Sequence, residues 1–126
     1  MKLTLFIFSI LLWIGCENSN TKIATQTIET RARIVSNLAV DGCEWHFEIM
    51  NQDSSGIPTF TTYVPTRASE PRVKAAVPKY GTEDAYYFVD VEIKYRPTNE
   101  KRSIVCGFGK TSEVEVIEIV EIKTVG

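Results

Sequence analysis

Between residues 87 and 95 the chain reads "YFVDVEIKY", with Tyr87, Val89, Val91, Ile93 and Tyr95 at every second position and Asp90, Glu92 and Lys94 between them. Successive side chains of an extended strand point to opposite faces, so a period of two makes one apolar face and one polar face. Such a strand must bury its apolar face against other elements, which already excludes an isolated ribbon or a disordered tail. The same spacing recurs upstream, where Cys43, Trp45, Phe47 and Ile49 alternate with Glu44, His46 and Glu48. This parity places His46 on the polar, solvated face of its strand.

Four further strands follow from the same reasoning. Residues 28–37 alternate through Ile28, Thr30, Ala32 and Ile34, and "TFTTYVP" supplies a strand over Thr59 to Val64. Ile104, Cys106 and Phe108 share one face of a short strand that Gly107 and Gly109 bring to an end. The closing "SEVEVIEIVEIKTVG" keeps one parity through Val114 and Val116, switches at Ile117 and Ile119, and returns at Val120 and Ile122. That slip predicts a bulged strand or one buried on both faces for part of its length, and its β-branched residues disfavour a helix. "NQDSSGIP" reads as a loop, and "RPTNEK" reads as a turn after Tyr95 on the chemistry of Pro97 and Asn99. In the long connection from Pro65 to Ala85, Ser69-Glu70-Pro71 starts a short helix with Val73, Ala76 and Val77 on one side, and Pro78 stops it. The predicted fold is all-β: a small antiparallel OB-like barrel or sandwich of five to six strands with one short helix, over residues 27–126.

The N-terminus lies outside this pattern. Met1-Lys2 precedes Leu3 to Ile14, an apolar run broken only by Thr4 and Ser9. As a helix it would extend about 18 Å, short of the roughly 30 Å of a bilayer core. One cation, an apolar stretch and a small residue before a polar chain match an export signal. No Ala-x-Ala site is present, and Leu12-Trp13-Ile14-Gly15-Cys16 instead resembles the lipobox of bacterial lipoproteins, with Trp13 in place of the usual Leu. That resemblance implies a leader over residues 1–15, diacylglyceryl attachment to the Cys16 thiol, acylation of the new α-amine and residence at the bacterial cell envelope, at the outer membrane on either its periplasmic or its surface face. Two or more acyl chains satisfy the requirement for stable anchoring. Residues 16–26 are almost devoid of apolar side chains and read as a flexible tether. The alternatives are an ordinary secretory leader beside an unrelated cysteine and an uncleaved anchor.

Assigning Cys16 to lipid leaves Cys43 and Cys106, an even pair in a chain bound for an oxidising space. Their parities aim both at one core, so a disulfide is predicted; two separate buried thiols are the alternative. Cys43, "YVP" at 63–65, "VPKY" at 77–80, "VEIKY" at 91–95, Cys106 and "VIEIVEIK" together resemble, in order and spacing, the small OB-like lipoproteins of Bacteroidetes that include the NigD-like proteins. The resemblance covers roughly residues 40–123. It implies the fold and the export route and supplies no catalytic residues.

Composition bounds the function. A net charge of −2 gives no basic excess to favour nucleic acid. Zinc wants clustered ligands, and His46 is the one histidine, so neither metal nor cofactor is expected. No G-x-S-x-G or H-E-x-x-H motif occurs, and no catalytic residue is assigned. Arg67, Arg72, Lys74 and Lys79 outnumber Glu70 and, with Tyr80 nearby, form a candidate contact for an anionic ligand, a glycan or an envelope protein; the plainer reading is a solvated face. The expected function is therefore a membrane-tethered, non-catalytic binding or accessory module. A small envelope hydrolase and an immunity or inhibitor lipoprotein are the alternatives.

Overall fold

The computed structural model describes residues 26–126; the predicted leader, Cys16 and the tether up to residue 25 lie outside them. The described residues form five strands, β1 (Ile28–Ser36), β2 (His46–Gln52), β3 (Pro58–Pro65), β4 (Tyr87–Val105) and β5 (Thr111–Thr124), and one α-helix, α1 (Glu70–Ala76). They close into a barrel in the order β1-β2-β3-β5-β4, with the helix inserted between β3 and β4. This is the expected small OB-like barrel, with one correction to its antiparallel character. β3 and β5 run parallel through Tyr63, Val64 and Pro65 against Glu115, Val116 and Ile117, and this pair closes the cylinder.

Closure rests on length and bending. β4 runs for 19 residues and β5 for 14, so β4 borders β1 with its first half and β5 along almost its whole course. The predicted turn at "RPTNEK" is accordingly a bulge. The register with β5 jumps between Pro97 and Lys101, and the Thr98 hydroxyl donates to the Val116 carbonyl at 2.5 Å. Proline has no N–H for a ladder, and an irregularity is where a long strand tolerates it. The parity slip of the last strand is a second irregularity, lying opposite Lys94 and Tyr95.

Inside, Ala32, Ile34, Phe47, Ile49, Val91, Ile93, Ile117 and Ile119 form the main core. α1 closes it by adding Val73, with Val77 and Tyr80 following the helix, as the apolar spacing predicts. The helix is fastened to β5 at one residue: the Ser69 hydroxyl accepts the Ile119 N–H at 2.9 Å, and Arg72 donates to the Ile119 carbonyl at 2.6 Å. Both backbone groups of a buried strand residue are thereby satisfied.

The two loops on one rim are sewn together. Cys43 in the β1–β2 loop and Cys106 in the β4–β5 loop form a disulfide and pack on Val64, Ile104, Val114 and Val116. Around it the Glu44 N–H donates to Val105 O, the Val105 N–H to Glu44 Oε1, and the Gly107 N–H to Gly42 O. Gly107 sits so close to the facing loop that a Cβ there would come within 2.7 Å of the Asp41 Cα, which only glycine avoids.

Two sequence expectations fail at this rim. Phe108 does not share the core face of Ile104 and Cys106. β4 ends at Val105, and Phe108 takes a left-handed conformation (φ 60°) in a tight turn that leaves it 85% exposed. His46 is 3% exposed although its parity is outward. Val35 stands directly between His46 on β2 and Phe88 on β4, making an apolar patch on the barrel's outside, and the imidazole turns back onto its own strand. Its Nδ1 lies 2.7 Å from Glu44 O and its Nε2 3.1 Å from Glu48 Oε1.

Candidate functional site

The basic residues of the Pro65–Ala85 connection do not form one patch. Arg72 is spent on the Ile119 carbonyl and borders a groove on the other side of α1 with Glu29, Lys94 and Glu121. Lys79 pairs with Asp84 at 3.1 Å and lies over the Tyr87 ring. Arg67, Lys74 and Tyr80 do come together, in a cleft of about 420 Å³ between α1, the end of the β1–β2 loop and the last turn of β4. That size falls within the roughly 300–1,000 Å³ of small-molecule pockets.

The cleft contains groups the sequence did not single out. Arg102, near the far end of β4, donates to the Pro65 carbonyl at 3.1 Å and lies 3.8 Å from Glu70, while Arg67 binds the same Glu70 oxygen at 2.9 Å. Glu44 enters from the β1–β2 loop with one carboxylate oxygen fixed on the Val105 N–H. Glu83 and Asp84 complete the rim. No local pattern links Glu44, Glu70 and Arg102, since the closure of the barrel is what brings them together.

Trp45 and Tyr80 provide the aromatic wall. The Trp45 Nε1 donates to the Thr82 carbonyl at 2.8 Å, and its ring leans on Tyr80 and Tyr87, each with centroids 5.5 Å away. Tyr80 is 6% exposed and its ring rests on Phe47. Its hydroxyl has no hydrogen-bond partner among the described residues, yet it is not sealed in: it opens onto the cleft. Burial, reinforced by the Glu70 carboxylate and partly offset by Arg102 and Arg67, pushes its pKa far above the usual tyrosine value. The group is therefore a protonated donor under all ordinary conditions.

Comparison with known protein families, curated proteins and solved structures finds no match.

Another groove, of about 370 Å³, crosses the outer face of β1 to β3, where Met50 and Phe60 stand exposed as a cross-strand pair beside Arg31 and Arg33. Arg33 is bound by Asp90 at 2.9 Å, and among the described residues no buried polar group faces this groove without a partner. Among the described residues no cluster of His, Cys, Asp and Glu is arranged to hold a metal ion. The cleft beside α1 is thus the place where aromatic surface, charge and an open donor converge.

Proposed function

We propose that the chain is an exported, lipid-anchored binding module of the bacterial cell envelope, of the NigD-like kind, using the α1 cleft as its contact site. One observation carries this reading. The disulfide takes Cys43 and Cys106 out of the count of three cysteines, leaving Cys16, at the end of an apolar leader, for acylation. A structural disulfide also suits a compartment outside the reducing cytosol. The non-catalytic reading is supported at His46, where the ring nitrogens face the Glu44 carbonyl of the adjoining loop and the Glu48 carboxylate, so that neither is directed at the cleft as a base. No nucleic acid is proposed as a partner; an envelope protein, a glycan or an anionic ligand is.

Replacing Cys16 with serine is expected to abolish incorporation of labelled palmitate and to move the protein from the membrane to the soluble fraction. Label retained on the variant refutes the anchor. The contact site has its own test in intact envelopes. A photo-crosslinking residue in place of Lys74, on the cleft, is expected to give discrete adducts, and one in place of Glu113, exposed on β5 outside the cleft, is expected to give none. Equal adducts from both positions, or none from either, would sink the cleft as the site of binding.

A further inference from the structure

The charged groups of the cleft have largely neutralised one another before any ligand arrives. Arg67 and Arg102 converge on Glu70, Arg102 also holds the Pro65 carbonyl, and Asp84 is taken by Lys79. An anion entering here would meet the carboxylates of Glu44, Glu70 and Glu83, and a cation would meet Arg67, Arg102 and Lys74. Each would lose on one wall what it gained on the other. An uncharged ligand loses on neither, provided it can both donate and accept. Planar side chains fixed by mutual bonds still present unused N–H groups and lone pairs, since a guanidinium has five donors and a carboxylate about four acceptor sites.

Two details narrow the ligand further. The Tyr80 hydroxyl, open to the cleft and without a protein partner among the described residues, places a free donor at the cleft floor for a ligand acceptor. The rings of Trp45 and Tyr80 provide apolar surface, and the indole is held in place by its bond to Thr82 and by Tyr87. A ligand with an apolar C–H face and a periphery of hydroxyls meets all these demands at once. We propose that the α1 cleft binds a neutral saccharide, with the Tyr80 hydroxyl donating to a sugar oxygen and the Trp45 ring against the sugar's C–H face. This rests on the reading of the cleft as the contact site and names the chemical class of what it holds. Glu44, Glu70 and Arg102 then bond the ring hydroxyls, and Lys74 lies at the mouth.

The test uses the protein in detergent, with Trp13→Phe wherever the leader is retained, so that of the two tryptophans only Trp45 emits. Maltotriose and the trimer of N-acetylglucosamine are titrated in, with inorganic phosphate and glycylglycine as charged comparisons. A saturable change in Trp45 emission is expected with at least one of the two sugars and with neither charged probe. Tyr80→Phe should weaken that binding about tenfold, the worth of one hydrogen bond, while leaving the circular dichroism spectrum and thermal midpoint unchanged. A saturable response to phosphate or glycylglycine instead, lost in Tyr80→Phe, overturns the saccharide and leaves the cleft a binding site. Silence toward every probe, with adducts still forming at position 74, overturns the saccharide in the same way. Silence together with no adducts removes both readings.

Discussion

Replacing Cys43 and Cys106 with serine is expected to lower the unfolding free energy by about 4 kcal/mol. The two residues are separated by 63 positions, and a link of that span removes a large set of open conformations from the unfolded chain. Little is expected to be lost from the native side, because the hydrogen bonds from Glu44 to Val105 and from Gly107 to Gly42 still join the two loops. With a urea dependence of about 1.5 kcal/mol per molar, the midpoint of the transition should fall by roughly 2.5–3 M, with a somewhat steeper slope because the unlinked chain unfolds to a more open state. Reduction of the wild-type chain with dithiothreitol should give the same midpoint as the double variant. A loss below about 1 kcal/mol would show that the unfolded chain is already compact around this rim, so that the link removes few states. The outcome also bears on binding, since Glu44 reaches the cleft from the loop that Cys43 fastens.

The disulfide was legible because setting Cys16 aside leaves an even pair of cysteines, with the inward parity of their strands in support. α1 was legible as well, because Pro71 and Pro78 bracket the helix and the apolar spacing chooses its inner side. What local pattern could not supply was the consequence of bending. Pro97 and Asn99 carry ordinary turn chemistry, and only a β5 long enough to run alongside turns that chemistry into a bulge within one continuous strand. His46 has the outward parity assigned to it and is nevertheless covered, because β1 pairs on both sides at Val35 and brings β2 and β4 around the same spot. The candidate site was half legible. Arg67, Lys74 and Tyr80 lie within one stretch of chain, whereas Arg102 and Glu44 join them only through the crossing of β4 over the β3–α1 connection and the stitching of the two rim loops. Arg72 diverges because α1 distributes its side chains around its circumference, and Lys79 lies beyond the helix in the following turn, where Asp84 takes it.

Two phenylalanines that strand parity placed in one core should respond to substitution in opposite ways. Phe47 has no exposed surface and lies at the centre of the barrel with Tyr80 above it. Phe47→Ala removes the transfer energy of a buried ring and leaves a cavity that the closed barrel cannot readily collapse, so a loss of about 3–5 kcal/mol is expected in urea unfolding. The same change takes away the support of Tyr80, so sugar binding should weaken even under conditions where the variant remains folded. Phe108 buries little, and its left-handed backbone disfavours any side chain. Phe108→Gly should therefore shift stability by no more than about 1 kcal/mol in either direction, the relief of backbone strain offsetting the greater freedom of glycine in the unfolded chain. A loss above about 2 kcal/mol at Phe108 would mean that its ring packs onto the disulfide rim in solution. A loss that small at Phe47 would mean that the barrel closes by rearrangement, and the floor of the cleft would then be adaptable rather than fixed.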